Sequence, residues 1–450
     1  MPLDLLIRHG QVVTAAGVAS LAIGIAEGRI VALAPEIADP ATETLDATNL
    51  HIFPGLIDSH VHFNEAAPGG RTAWEGIATG SAALAAGGGT VFFDMPLNSL
   101  PPTLDAAAFD AKLAACRQSA RTDFALWGGL TPDNLDHLEE LAERGVIGFK
   151  AFMANSGIPD FARADDLTLY RGMKKAQALG LPVAVHAESE EITSRLAAEA
   201  LAAGCTSIRD YLASRPVVAE VEAVTRAIAL AGETGCRLHI VHISHARSAE
   251  RVARDAAHGW ADVTCETCPH YLALSDLDLE RLGAPAKCAP PLRAPADVEA
   301  LWQALAAGHF AFVASDHSPA PPAMKKDPNF FQVWGGIAGI QSTLPILLSR
   351  QPAIPLPQVA RLTAANVAAR YGLPTKGAIA AGYDADLTLV DLNTRYQLTT
   401  DSLLDRHKLS PYVGRTFHAC IRRTLLRGQT IFLDGKLVGP PIGQFLRPAR

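Results

Sequence analysis

The sequence predicts an α/β fold in which a (β/α)8 barrel is flanked by a small β-sandwich built from both chain ends. Two observations support this prediction. Between residues 54 and 372, short apolar runs alternate with alanine-rich segments, the pattern of strands and helices around a parallel sheet. On either side of that region, short strand-like runs follow one another without helices. The 450 residues, 49% of them hydrophobic, suffice for one large barrel and an accessory unit.

The amino-terminal part, residues 1–53, contains five strand-like runs separated by turns. Short strands in such a series are typical of a small sheet or sandwich. The runs are Leu5–Ile7, Val12–Thr14, Ser20–Ile25, Ile30–Leu33 and Thr44–Ala47.

The barrel, predicted over residues 54–372, depends on eight apolar runs of strand length. They are Leu56–His62, Thr90–Met95, Phe124–Gly129, Val146–Phe152, Pro182–His186, Arg237–Ile243, Asp262–Cys268 and Phe310–Asp316. The helical segments between them are Ala106–Ala120, Asp133–Arg144, Asp166–Leu179, Glu190–Ala203, Val217–Thr234, Ala249–His258 and Ala296–Ala306. Eight strands that alternate with helices indicate a closed barrel.

The carboxyl-terminal part, residues 373–450, returns to short strand-like runs. They are Ile379–Ala380, Asp386–Val390, Tyr396–Leu398, Thr424–Arg427 and Thr430–Leu433. The simplest topology pairs them with the amino-terminal strands in one accessory sandwich.

Charge and cysteine content exclude several classes of function. The net charge is −7, and no basic run interrupts the chain, so we expect no nucleic-acid partner. No apolar stretch is long enough to span a bilayer, and the first residues lack the layout of a signal peptide. Seven cysteines, an odd number, suit free thiols in a reducing cytoplasm. Cys265 and Cys268 form the only close pair, whereas a structural zinc site would need a second one.

Two histidines mark the end of the first predicted barrel strand. His60 and His62 lie two residues apart, so their side chains project from the same face of the strand. Two neutral imidazoles side by side can bind one divalent metal ion. The alternative interpretation is a pair of core histidines whose hydrogen bonds are satisfied.

Other predicted barrel strands also end in a polar residue. These residues are Lys150, His186, His242 and Asp316. Each has an ordinary explanation on its own, since a lysine can snorkel and an aspartate can cap a helix. Catalytic residues of barrels nevertheless sit at the carboxyl ends of strands. Together with the two histidines, these groups exceed what one tetrahedral zinc needs and fit two metals with shared ligands.

Lys150 is the unusual member of this set, because a protonated ammonium has no lone pair and repels cations. We hypothesise that CO2 carboxylates Lys150 to N6-carboxylysine, an anionic bridge with two oxygens. By contrast, His245 is one residue out of strand register, and we expect it to be a loop residue.

The sequence resembles the cyclic amidohydrolases of the amidohydrolase superfamily, which include dihydroorotases, hydantoinases (dihydropyrimidinases) and allantoinases. The resemblance implies two divalent metals, with zinc expected and cobalt, manganese or iron as alternatives. One metal would be bound by His60, His62 and Asp316, and the other by His186 and His242. Carboxylated Lys150 would bridge the two metals. The family also implies a homotetramer.

Within this family, the sequence is most similar to allantoinases. The stretches that carry this likeness are Asp94–Ser99, Gly148–Met153, Glu266–Tyr271, Lys287–Arg293, Ser315–Pro319, Trp334–Gly339 and Ser410–Thr416. The implied reaction is hydrolysis of the hydantoin ring amide of allantoin to allantoate, a step of purine breakdown, with Asp316 as the catalytic acid and base. Asn155 stands where hydantoinases usually carry a tyrosine. A hydantoinase, a dihydropyrimidinase, a dihydroorotase-like amidase and a non-catalytic scaffold remain the alternatives.

Substrate contacts are expected from loops beyond the strand ends. The candidates are Ala289, Ser318, Asn155, Gly335, Ile337, Asn98 and Arg71. For some of them a structural role explains the residue equally well, since Asn98 suits a turn and glycines suit tight turns. The loop that carries Arg71 is longer than the family pattern. The polar loop Met324–Asp327 is expected to be a solvated lid edge.

Overall fold

A mainly antiparallel sheet begins with the amino-terminal strands. The computed structural model describes residues 2–66 and 70–449. The first strands are β1 (Leu3–Val13), β2 (Val18–Ala26), β3 (Arg29–Ala34), β4 (Ala41–Asp46) and β5 (His51–Pro54). β1 is central: it pairs antiparallel with β2 and parallel with β4 and β5.

The barrel follows directly. Its strands are β6 (Leu56–Val61), β7 (Gly89–Asp94), β8 (Asp123–Leu126), β9 (Gly128–Gly129), β10 (Phe149–Phe152), β11 (Val183–His186), β12 (Leu238–Ile240), β13 (Val263–Thr267) and β14 (Phe312–Val313). All neighbouring pairs are parallel. Trp127 alone separates β8 from β9, so these two segments count as one of the eight barrel strands. The barrel closes between the ends of β6 and β14, where the His62 amide donates to the His317 carbonyl at 2.8 Å.

Barrel strands are buried on both faces, which explains their apolar sequences. Every residue of β6 and β7 is buried. Side chains alternate between the faces: Ile57 and Phe93 belong to the interior cluster, whereas Leu56 and Phe92 belong to the larger core that includes the helices. This two-sided burial fixes the strand ends, and therefore the side chains that follow them.

Helices connect the strands. They are α1 (Ile77–Ala86), α2 (Ala106–Ser119), α3 (Leu138–Arg144), α4 (Asp166–Ala178), α5 (Glu190–Ala202), α6 (Ile208–Ala213), α7 (Val217–Thr234), α8 (Ala246–Ala257), α9 (Pro269–Ala273), α10 (Asp276–Leu282), α11 (Pro295–Ala306), α12 (Thr343–Leu348), α13 (Leu356–Ala360) and α14 (Asn366–Arg370). Asp105 and Asp165 begin α2 and α4, and their side chains accept from Ala108 N and Thr168 N. No helix in the two described ranges is both long and apolar enough to cross a membrane.

The last strands complete the first sheet. They are β15 (Leu387–Asp391), β16 (Tyr396–Gln397), β17 (Thr416–Phe417), β18 (Cys420–Leu426), β19 (Gln429–Leu433) and β20 (Lys436–Leu437). β15 pairs antiparallel with β5, so both chain ends share one sheet in the order β20-β19-β18-β15-β5-β1-β2-β3. The predicted fold class is confirmed, while the domain boundaries stay predictions.

Two details of the carboxyl-terminal prediction are wrong. Ile379–Ala380 forms no strand. Ile379 is apolar because its side chain packs into the core of the shared sheet, not because its backbone pairs with a neighbouring strand. The predicted strand at Tyr396 is real but belongs to a separate two-stranded sheet of β16 and β17.

A buried ion cluster joins the barrel to the shared sheet. Lys376 Nζ lies 2.7 Å from Asp123 Oδ2, at the start of β8, and 2.7 Å from Asp386 Oδ2, next to β15. Asp384 Oδ2 lies 3.0 Å from the same ammonium, and Arg427 also pairs with Asp123. Burial raises the pKa of Asp386 to about 6 despite the opposing effect of Lys376.

Replacing Lys376 with methionine should therefore destabilise the protein. The substitution leaves buried carboxylates without their cation, so we expect the free energy of unfolding to fall by about 3–5 kcal/mol. Denaturant titration measures this loss. In the control, Arg144→Met, the broken pair with Asp110 is exposed, and the loss should stay below about 1 kcal/mol. Equal losses in the two variants would contradict the role of the cluster.

Candidate metal centre

The predicted metal ligands lie at the carboxyl ends of the barrel strands. His60 lies in β6 and His62 follows it; Lys150 lies in β10 and His186 ends β11. The remaining two, His242 and Asp316, lie just beyond β12 and β14. The structure brings these side chains to one end of the barrel, where five of them line one cavity. Burial lowers the pKa of His60, His186 and His242, and the nearby charge of Lys150 lowers it further.

The first group consists of His60, His62 and Asp316. Asp316 Oδ1 lies 3.3 Å from His60 Nε2 and 3.2 Å from His62 Nε2. Burial alone would raise the pKa of Asp316, but the two imidazoles hold it at about 2. The carboxylate is therefore ionised, and three candidate ligand atoms converge within 4.8 Å of one another.

The second group consists of His186 and His242. His186 Nδ1 lies 3.0 Å from His242 Nε2, and the ring centres are 4.6 Å apart. His60 links the two groups, since its ring centre lies 5.4 Å from that of His242. His245 lies at the amino end of α8, where its side chain accepts from Arg247 N at 3.1 Å.

Two buried glutamates fix the orientation of the histidines. Glu266 Oε1 lies 2.7 Å from His60 Nδ1, and Glu188 Oε2 lies 2.9 Å from His186 Nε2. Burial alone would raise the pKa of each glutamate, but His239 and His60 lower that of Glu266, and Arg215 and His186 hold that of Glu188 at about 2. Each carboxylate thus accepts the imidazole proton and leaves the other ring nitrogen with a lone pair.

The sequence prediction missed both glutamates as site residues. A signal was present, because each is a charged residue in or beside a strand whose other residues are mostly buried. What the sequence does not show is the partner. Glu266 on β13 meets His60 on β6, 206 positions away, as well as His239 on β12 and Ser59.

The positions of the histidine nitrogens and of the Asp316 carboxylate show whether divalent cations would fit the site. The unprotonated nitrogen of His60 faces the ionised Asp316 carboxylate at 3.3 Å, and His62 Nε2 lies 3.2 Å from the same oxygen. The unprotonated nitrogen of His186 lies 3.0 Å from His242 Nε2. Burial lowers the pKa of His60, His186 and His242, so these rings are neutral. Each neutral imidazole keeps one nitrogen lone pair that can bind a cation, and Asp316 adds an anionic oxygen beside them. The residues present therefore fit divalent metal.

Lys150 is buried, and its Nζ has no hydrogen-bond partner within residues 2–66 and 70–449. The nitrogen lies 5.0 Å from the centre of the Phe152 ring, which stacks on His186. Burial lowers the pKa of Lys150 to about 7, against the opposing charges of Asp316 and Glu266. A substantial fraction of neutral amine is thus available near neutral pH.

Backbone geometry also singles out two of the ligands. His242 and Asp316 have φ angles of 37° and 46°, in the left-handed region that non-glycine residues seldom adopt. Such strained residues concentrate at functional sites, where the surrounding structure holds them in place.

A cavity of about 340 Å³ opens onto the histidines. Several predicted substrate contacts line it: Asn98, Asn155, Ala289, Ser318 and Gly335. Asn98 also lies 3.4 Å from His62 Nδ1 through its amide. Ile337 is buried behind the lining, and its carbonyl accepts from Ser318 N at 3.0 Å. The next wall residue, Gly336, must be glycine, because a Cβ there would lie 2.2 Å from the Ser318 carbonyl oxygen.

Arg71 lies elsewhere. Its guanidinium makes a two-pronged ion pair with Asp160, with both N–O distances at 2.9 Å, and contacts the Trp74 ring. Trp74 packs against Trp334. The Arg71–Asp160 and Trp74–Trp334 contacts together join the loops that follow β6, β10 and β14. Residues 67–69 of the long loop lie outside the described residues.

Two lysines hold the loop after β14. Lys287 Nζ donates to the carbonyls of Phe330 and Val333 at 2.6 and 2.5 Å. Lys325 Nζ donates to the carbonyls of Trp334 and Gly336 at 2.9 and 2.8 Å. The predicted solvated lid edge at Met324–Asp327 is therefore wrong for Lys325, which turns inward because the loop carbonyls need donors.

The chain is similar to known proteins over nearly its whole length. A model described as "Amidohydrolase family" matches residues 51–431. Curated proteins named allantoinase are 56% identical in Solibacter usitatus (99% of this chain and 97% of the relative), 54% in Rubrobacter xylanophilus (99% and 98%) and 52% in Deinococcus radiodurans (100% and 99%).

Solved structures with the same fold include an L-hydantoinase (dihydropyrimidinase) from Arthrobacter aurescens. It matches with a TM-score of 0.95 and 31% identity over 98% of this chain and 99% of that one. A D-hydantoinase structure matches with a TM-score of 0.91 and 32% identity over 99% and 98%.

Proposed function

The chain belongs to the amidohydrolase family, and we propose that it is an allantoinase, which hydrolyses the hydantoin ring amide of allantoin to give allantoate. The named allantoinases share more than half of their residues with this chain, whereas the hydantoinase structures share about a third. A hydantoinase-type activity is the second candidate.

One observation supports the hydrolytic role most directly: imidazole nitrogens and a carboxylate oxygen from different strands converge at the floor of a cavity. His60, His62 and Asp316 form one side of the convergence, and His186 and His242 form the other. A non-catalytic relative would have no need to keep these groups buried together or to orient His60 and His186 with glutamates.

We infer that His60, His62 and Asp316 bind one divalent cation and that His186 and His242 bind a second. Carboxylated Lys150 would be shared between them. When bound, the cations polarise the ring carbonyl and lower the pKa of water. Imidazole and carboxylate donors suit zinc, the expected metal, and also cobalt, manganese or iron.

Lys150 supplies the bridge only after reaction with CO2. The neutral amine adds to the carbon of CO2, a nitrogen–carbon bond forms, and one proton leaves to solvent. The product is an anion with two oxygens, which removes the conflict between a lysine and two cations. Support comes from the buried Nζ, which no described residue pairs with, and from its lowered pKa.

Asp316 acts as the base and then the acid. Its carboxylate is ionised and lines the cavity, so it can accept a proton from the attacking water. As the amide bond breaks, the same group returns the proton to the ring nitrogen, which becomes the NH2 of a ureido group in the opened product.

Recognition of a flat ureide is assigned to the cavity wall. The side chains of Ser318 and Asn155 and the backbone at Ala289 and Gly335 offer both donors and acceptors there. Ile337 is a weaker candidate, because its carbonyl already accepts from Ser318 N. The Asn98 amide nitrogen faces His62 Nδ1, whereas its Oδ1 has no partner among the described residues. Arg71 would reach the substrate only by leaving Asp160.

A panel of cyclic substrates tests the function. Metal-replete protein should open allantoin to allantoate faster than it opens hydantoin, dihydrouracil or dihydroorotate, and chelator-treated protein should lose this activity. Product analysis identifies the ring opened. Faster turnover of hydantoin or dihydrouracil would replace the proposal with the second candidate. A cytoplasmic location and a homotetramer stay predictions.

A further inference from the structure

A second cluster of ligand atoms shares Asp316 with the site described above. Cys268 Sγ, a ring nitrogen of His270 and a carboxylate oxygen of Asp316 all lie within 4.8 Å of one another. Cys268 directly precedes α9, and His270 is its second residue. Both side chains are almost completely buried. Neither takes part in the proposed hydrolysis.

His270 is the observation that points to a ligand. Neither of its ring nitrogens has a hydrogen-bond partner among the described residues, although the ring is 1% exposed. A buried polar group without a partner is destabilising, so native proteins seldom keep one without a reason. Because one nitrogen lies within ligand distance of a thiol and a carboxylate, a bound cation supplies that reason.

We propose that Cys268, His270 and Asp316 form an inhibitory site for a thiophilic divalent cation, such as Cd²⁺ or excess Zn²⁺. Sulfur and imidazole are the softer donors and favour such metals, whereas the six-residue set offers only nitrogen and oxygen. On binding, the Cys268 thiol gives its proton to solvent, and its sulfur bonds to the cation.

Inhibition follows from the shared carboxylate. Asp316 Oδ1 already faces His60 Nε2 and His62 Nε2 at 3.3 and 3.2 Å. A cation held by Cys268 and His270 draws on the same side chain and removes it from proton transfer. Asp316 lines the cavity, which gives the cation its route to the cluster. This inhibitory consequence rests on the proposed function, whereas cation binding does not.

Another thiol provides a matched control. Cys265 lies three residues earlier on β13, is equally buried, and belongs to no group of potential metal ligands in the part of the chain that is described. Its Sγ faces the His309 carbonyl at 3.4 Å. The Cys265→Ser variant therefore removes a buried thiol without altering the cluster.

The test titrates Cd²⁺ into metal-replete protein and follows the ultraviolet thiolate-to-cadmium charge-transfer band together with allantoin opening. We expect one thiolate-bound Cd²⁺ per chain and loss of activity in the native protein and in Cys265→Ser. In Cys268→Ser the band should vanish. In Cys268→Ser and in His270→Gln, Cd²⁺ affinity and inhibition should weaken by at least the roughly 10–100-fold that removal of an outer-shell partner causes.

Two results would overturn the proposal: an unchanged band in Cys268→Ser, or inhibition of the native protein without any band. If Cys268→Ser does not fold, His270→Gln carries the same test. The band needs no allantoin. A missing band therefore counts against the cation site, and a failure to open allantoin counts against the proposed function.

Discussion

Replacing Lys150 with alanine is expected to lower kcat/KM for allantoin opening by about a thousandfold or more. The bridge between the proposed cations disappears, and the charge stabilisation that such a pair supplies is worth several kcal/mol, with each 1.36 kcal/mol equal to tenfold in rate. The cavity walls and the histidines stay in place. Steady-state kinetics together with the metal content of the purified variant measure the loss.

Two further measurements separate the carboxylated lysine from a simple loss of charge. Lys150→Arg keeps a cation but cannot be carboxylated in the same way, so it should be as inactive as Lys150→Ala. Short carboxylic acids added to Lys150→Ala should restore part of the activity, because they supply the missing anionic bridge. Full activity and metal content in Lys150→Ala would refute the bridging role.

Substituting Asp316 with asparagine should reduce kcat by about 10²–10⁴-fold, the usual contribution of a positioned general acid or base. The amide keeps the shape of the side chain but can neither accept the proton from water nor return it to the leaving nitrogen. We expect KM to change much less than kcat, because the proposed role of Asp316 is proton transfer to and from the reacting atoms.

The metal content of Asp316→Asn must be measured beside its kinetics, because the same carboxylate is a proposed ligand. The exposed carboxylate of Asp136, which pairs with Lys175 at the surface, provides the control. Asp136→Asn should keep its kcat and metal content. An Asp316→Asn variant with near-native kcat would remove this residue from the proton path.

The barrel and the gathering of the candidate metal ligands at its strand ends were predictable from the sequence for the same physical reason. Strands covered on both faces must be apolar, so a histidine, lysine or aspartate at the end of one stands out. His60 and His62 share a face because side chains alternate along a strand. The left-handed φ angles of His242 and Asp316 were not foreseeable, since tertiary contacts impose them.

Partners proved harder to predict than positions. Nothing near Glu266 in the sequence indicates that it orients His60, because the two meet only when the barrel closes. Lys325 reads as a surface residue in a polar loop, yet its ammonium satisfies loop carbonyls. Arg71 was expected at the substrate, whereas Asp160 from another loop binds it. Such pairings depend on three-dimensional neighbours that a periodic pattern does not encode.

Native mass spectrometry of the purified protein tests the central claim most directly, because one measurement weighs the bound cations and the carboxyl group together. The account predicts a chain that carries two divalent ions and one added CO2, with the CO2 absent from Lys150→Ala. A native chain that opens allantoin while it carries neither ions nor CO2 would contradict it.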